Sequence, residues 1–166
     1  MKRRNFFAVL LPLFLGVSLL FAGTTVGQTL PDFKVKLVNG STLSSAEASH
    51  KKPLLLIYFA PDCEHCRALM EELLPRMSDF KNTQILMVTF ESLNDVAWFE
   101  NHYQTGRYPN IKVGMETPVF FLRNYYHLEN TPFTALFNKK GKLMISYKKY
   151  TPVAELVKWV KVVEKQ

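Results

Sequence analysis

The chain has two cysteines, Cys63 and Cys66, with only Glu64 and His65 between them. At that spacing both sulfurs can meet across the first turn of a helix and close a small disulfide ring. A helix-forming stretch, Cys66 to Leu74, follows the pair, so Cys63 falls at the helix start. Unpaired backbone N–H groups and the positive end of the helix dipole favour negative charge there. Thiolate is the nucleophile of disulfide exchange, which makes Cys63 the candidate attacking thiol. Cys66, a turn into the helix, is expected to be more buried and to resolve the mixed disulfide. His65 adds a donor that can become cationic beside Cys63, while Glu64 pushes the other way; both are candidates for tuning the thiol.

Other chemistry fits the pair less well. Half of a zinc site looks the same, but a structural zinc needs four ligands. His50, His65, His102 and His127 show no ligand-like spacing that would complete one. A purely structural disulfide across so short a loop would constrain little chain entropy.

The elements around the pair follow from hydrophobic patterning. Leu54 to Phe59 is a continuous apolar run between Pro53 and Pro61, as expected of a strand buried on both faces. Ile85 to Phe90 reads the same way. Phe33, Val35 and Leu37 alternate with lysines, a half-buried strand ended by Asn39-Gly40. The helix after Cys66 is apolar at Leu69, Met70, Leu73 and Leu74, with Pro75 at its end or bend. Ser92 to Tyr103 is a second helix, and Gly106 to Met115 reads as loop. Thr117-Pro118 has the form of a helix cap ahead of Val119 to His127. Phe133 to Phe137 and Leu143 to Tyr147 form a hairpin through Asn138-Lys139-Lys140-Gly141, whose lysines discourage edge-to-edge pairing. Thr151-Pro152 repeats the cap signature before a last helix with Val153, Leu156, Val157, Val160 and Val163 on one face. The expected class is α/β, a mixed central β-sheet flanked by helices.

The 166 residues suit one domain, and their 48% hydrophobic content excludes a disordered chain. The formal charge of +7 includes Lys2, Arg3 and Arg4, which leaves +4 for the rest. No basic cluster interleaved with aromatics points to nucleic acid. Those three basic residues precede an uncharged run, Phe6 to Ala22, in the pattern of a secretory signal. Thr25 and Gly27 offer a cleavage site, dividing the chain into residues 1–27, a signal peptide or N-terminal membrane anchor, and a domain over 28–166. The run is slightly short of the roughly 20 residues of a spanning helix, so both fates stay open. Either way the domain is exported, into a compartment that oxidises thiols.

The segment from Leu54 through Ala60-Pro61-Asp62-Cys63-Glu64-His65-Cys66, followed by a helix, resembles the thioredoxin superfamily. It is most similar to exported bacterial thiol-disulfide oxidoreductases of the TlpA/ResA type. A second landmark is Thr131-Pro132, just before the strand Phe133 to Phe137 and the turn ending at Gly141. The resemblance covers Leu30 to Val163 and implies a thioredoxin-like fold with a redox-active Cys63–Cys66 pair. It implies a cis bond at Thr131-Pro132, set against the cysteines, with Thr131 and Pro132 holding an extended substrate segment. It further implies protein dithiol or disulfide partners, a membrane-embedded electron donor for a reductase, a periplasmic or otherwise exported location and no cofactor. Three departures bear on mechanism: Asp62 stands where Trp is frequent, Ile57 replaces the buried Asp of classical thioredoxins, and Leu69 replaces a common acid three positions after the second cysteine. The usual buried proton relay is therefore expected to be absent. Two alternatives remain: a thiol peroxidase, disfavoured by Ala60 where that branch has Thr, and a copper-binding module, disfavoured by the cysteine spacing.

Overall fold

The structure, a computed structural model, describes residues 29–166. The expected signal or anchor segment lies outside the described residues. A seven-stranded mixed sheet runs through the domain in the order β2-β1-β5-β4-β3-β6-β7. Its strands are β1 Lys34–Lys36, β2 Thr42–Ser44, β3 Leu54–Tyr58, β4 Gln84–Thr89, β5 Ile111–Thr117, β6 Phe133–Phe137 and β7 Leu143–Lys148. The helices are α1 Ser45–Ser49, α2 Glu64–Leu73, α3 Leu93–Tyr103, α4 Phe121–Tyr126 and α5 Val153–Val163. No helix among the described residues is long and apolar enough to cross a membrane.

The alternation of β3 explains the two cores. Successive side chains point to opposite faces. Leu55, Ile57 and Phe59 join one buried cluster, and Leu54, Leu56 and Tyr58 join the other. β3 pairs in parallel with β4, and β4 with β5, so the chain steps across the sheet in one direction. Right-handed crossovers then put α2 and α3 on the same face, where Leu69, Met70, Leu73, Val96 and Phe99 are buried together. The path reverses to reach β6, and α4 falls on the opposite face, with Leu122 beside Phe33 and Tyr58. α5 covers the first face with the five residues its periodicity indicates. α2 gives way at Leu74–Phe80 to a 3-10 segment with Pro75 at its start.

Three expectations need correction. The segment read as loop contains β5, which pairs with both β4 and β1. Its Gly114 looks like a strand breaker, but a Cβ there would collide with the Val35 side chain and lie 2.6 Å from the Lys36 carbonyl. Close approach of β1 therefore requires the glycine. Thr117-Pro118 is not a helix cap: Thr117 ends β5 opposite Lys34, and the Thr117-Pro118 bond is cis. Glu116 does the capping instead, accepting from the Phe120 N–H at 2.9 Å and the Leu122 N–H at 2.8 Å. Thr151 likewise does not cap α5, because Pro152 holds that position. The buried Thr151 hydroxyl is instead 2.9 Å from that of Thr134 in β6. The short β2 and α1 were also absent from the sequence reading.

Candidate functional site

β3 leads through Phe59, Ala60 and Pro61 to Cys63, which caps the N-terminus of α2 in an extended conformation. The turn is closed by the Cys63 N–H donating to Ala60 O at 3.1 Å. The Cys63 carbonyl in turn accepts from the N–H groups of Cys66 and Arg67. No side chain caps α2, so its first N–H groups face the sulfur. Cys63 is half-buried, whereas Cys66 is 2% exposed, and both are free thiols.

The two thiols have opposite electrostatics. Burial works against ionising Cys63, but hydrogen bonds outweigh it: those of the Cys66 thiol, the Thr131 side chain, and the Cys66 and His65 backbone N–H groups. The net effect lowers Cys63 below an ordinary thiol. Cys66 is pushed up to about 12, first by burial and then by its hydrogen bond to Cys63.

Thr131 and Pro132 stand directly across from this pair. The Thr131 carbonyl is 3.4 Å from Cys63 Sγ, and the Thr131-Pro132 bond is cis. β6 starts at the next residue, where Phe133 pairs with Tyr58. Phe133 is 2% exposed, so its ring presents almost no surface beside the cysteines. His65 and Glu64 are both exposed in the first turn of α2. The His65 side chain lines the groove beside Cys63, while its backbone N–H is what acts on the sulfur. Ile57 and Leu69 are buried and apolar as the sequence requires, placing no carboxyl at either position.

A groove of about 400 Å³ opens beside Cys63. Sequence reasoning missed most of its lining. Tyr58 and Phe90 form one wall at 5.9 Å between ring centroids, and Phe120 extends it at 5.2 Å from Phe90. The Arg123 guanidinium lies 5.7 Å from the Phe120 ring centre, within cation–π range. Glu129 and Lys149 complete the polar lining. Behind the wall, the Tyr58 hydroxyl donates to Glu116 at 2.9 Å. Burial raises the Glu116 carboxyl, although three donors hold it. The signal for this wall was weak because β5 and α4 bring distant residues to β3. Among the described residues, no three His, Cys, Asp or Glu side chains gather as metal ligands.

The cysteine-capped helix after a central strand, with a cis Thr-Pro opposite, agrees with what the comparisons find. The family model for a thioredoxin-like domain matches residues 40–164. The chain therefore belongs to the thioredoxin-like family. No curated protein matches it. Among solved structures, a candidate thioredoxin from Neisseria meningitidis is 20% identical with a TM-score of 0.68, covering 84% of this chain and 91% of its own. A candidate thiol:disulfide interchange protein DsbE from Chlorobium tepidum is 17% identical, with a TM-score of 0.65 and coverage of 84% and 97%. The pneumococcal exposed lipoprotein thioredoxin of Streptococcus pneumoniae is 22% identical, with a TM-score of 0.60 and coverage of 80% and 99%. At these identities the likeness is one of fold.

Proposed function

We propose that the protein is an exported thiol-disulfide oxidoreductase acting on protein substrates. The observation that carries this reading is the asymmetry of the pair: a half-buried Cys63 whose ionisation is favoured and a buried Cys66 whose ionisation is resisted. In the reducing direction, Cys63 thiolate attacks one sulfur of a substrate disulfide and the other sulfur leaves as thiolate. Cys66 then gives up its proton to water and attacks Cys63, releasing the second substrate thiolate. Two electrons pass to the substrate and the Cys63–Cys66 disulfide remains. The oxidising direction reverses each step. With Ile57 and Leu69 apolar, no side chain at those positions takes the Cys66 proton, and Asp62, Glu64 or His65 can relay it to water.

The groove supports an extended peptide as substrate. Thr131 presents backbone next to the reacting sulfur, Phe90 offers apolar contact, and Arg123 and Lys149 favour an acidic side chain. Export is supported by the basic-then-apolar start of the sequence, and the similar pneumococcal structure is described as an exposed lipoprotein. Residues 1–27 are the export signal or anchor in this reading, and 28–166 the redox domain. A membrane donor would return electrons in the reductase direction.

Disulfide turnover by variants tests the reading. Cys63→Ser is expected to lose all turnover, and Cys66→Ser to hold substrate as a mixed disulfide visible by mass spectrometry. Turnover unchanged in Cys63→Ser overturns it. Peroxide consumption without any protein disulfide substrate favours the peroxidase reading instead.

A further inference from the structure

Charge is distributed unevenly along the strand direction. β3 and β6 pair Tyr58 with Phe133 beside the cysteines and Leu54 with Phe137 at the opposite end. β4 starts at that same far end, with Gln84 opposite Leu54. Three of the connections there carry exposed lysine: Lys51 and Lys52 before β3, Lys81 before β4, and Lys139, Lys140 and Lys142 in the β6–β7 turn. Two carboxylates of this end have partners. Asp79 faces Arg76 and Lys161, and Glu164 accepts from the Thr83 hydroxyl. The Gln166 side chain also lies here, accepting from the Asn138 amide.

The N-terminal segment joins the domain at this end. Thr29 bridges to Lys142, and the Leu30 N–H donates to Gly141 O at 2.8 Å. From Ala22, the last residue of the apolar run, to Thr29 a fully extended chain spans at most about 25 Å. A bilayer holding residues 6–22 must therefore lie within that reach of Thr29 and the lysines around it. The cysteines sit about 20 Å further away along β6.

We propose that the lysine-bearing end docks on anionic phospholipid headgroups and holds the cysteine groove outward from the membrane. This rests on residues 6–22 being retained as an anchor, and not on the thiol chemistry. Attraction of lysines to an anionic surface fades within a Debye length, about 8–10 Å. The short tether keeps the end close enough for that attraction to act. Lys149, in the groove lining by Cys63, faces the other way and serves as an internal reference.

The full chain, reconstituted in vesicles of phosphatidylcholine alone or mixed with phosphatidylglycerol, tests the orientation through lysine acylation by a water-soluble reagent. Acylation at Lys139, Lys140 and Lys142 should fall roughly threefold or more in the anionic vesicles and recover at high salt, with Lys149 unchanged. Equal acylation in both vesicles, or equal protection of Lys149, overturns the docking while leaving the anchor intact. A chain that binds neither vesicle overturns the anchor and the docking together.

Discussion

At the scale of single residues, the proposed division of labour within the cysteine pair rests on burial: Cys63 is half-buried and Cys66 is 2% exposed. Cys63 caps a helix and meets backbone donors, while Cys66, inside the first turn, meets Leu69 and its apolar neighbours. The same asymmetry couples ionisation to stability. An unfolded thiol ionises near 9.0, whereas folded Cys66 resists up to about 12. The unfolded chain therefore loses its proton first, and Cys66 makes the reduced protein less stable as pH rises from 9 towards 12. Cys63 acts in the opposite sense at lower pH, since its depressed folded value adds stability up to the ordinary thiol range. Tyr147, also raised to about 12, contributes equally in both redox forms. Urea unfolding across this range should show a steeper alkaline decline for the reduced protein than for the oxidised one. Parallel declines would contradict the burial of Cys66 as the source.

At the scale of elements, α4 brings Arg123 to the groove, and β5 holds the start of α4 behind it. Glu116 joins them: one carboxylate accepts from Tyr58 and from two N–H groups at the start of α4. Tyr58→Phe should cost about 1–3 kcal/mol, since a buried carboxylate loses one of its donors. Urea denaturation measures the loss, and a neutral result would mean water replaces the hydroxyl. This network also shows where sequence reading stops. α2, α3 and α5 were legible because each repeats apolar residues at helical spacing over ten or eleven positions. β5 was not, because Gly114 and Glu116 break its apolar pattern. Both are explained only by what approaches them: β1 against Gly114, and Tyr58 with α4 around Glu116.

At the scale of the whole molecule, the domain has two unlike ends. The carboxyl ends of β3 and β4 present the thiols and an aromatic groove, and the opposite end presents lysines and the entry of the N-terminal segment. The placement of the candidate site residues was legible in sequence because the parts are local: Cys63 with Cys66 in one turn, and Thr131 with Pro132 as neighbours. The groove was not, since Phe90, Arg123 and Lys149 meet only through the strand order.

The central claim is that one thiol attacks and the other waits. Alkylation of the reduced protein by iodoacetamide near neutral pH, resolved by peptide mapping, tests it most directly. At neutral pH a thiol at about 12 is almost wholly protonated, and Cys63 should be modified at least about a hundredfold faster than Cys66. Comparable rates at the two cysteines, or a faster Cys66, would contradict the account.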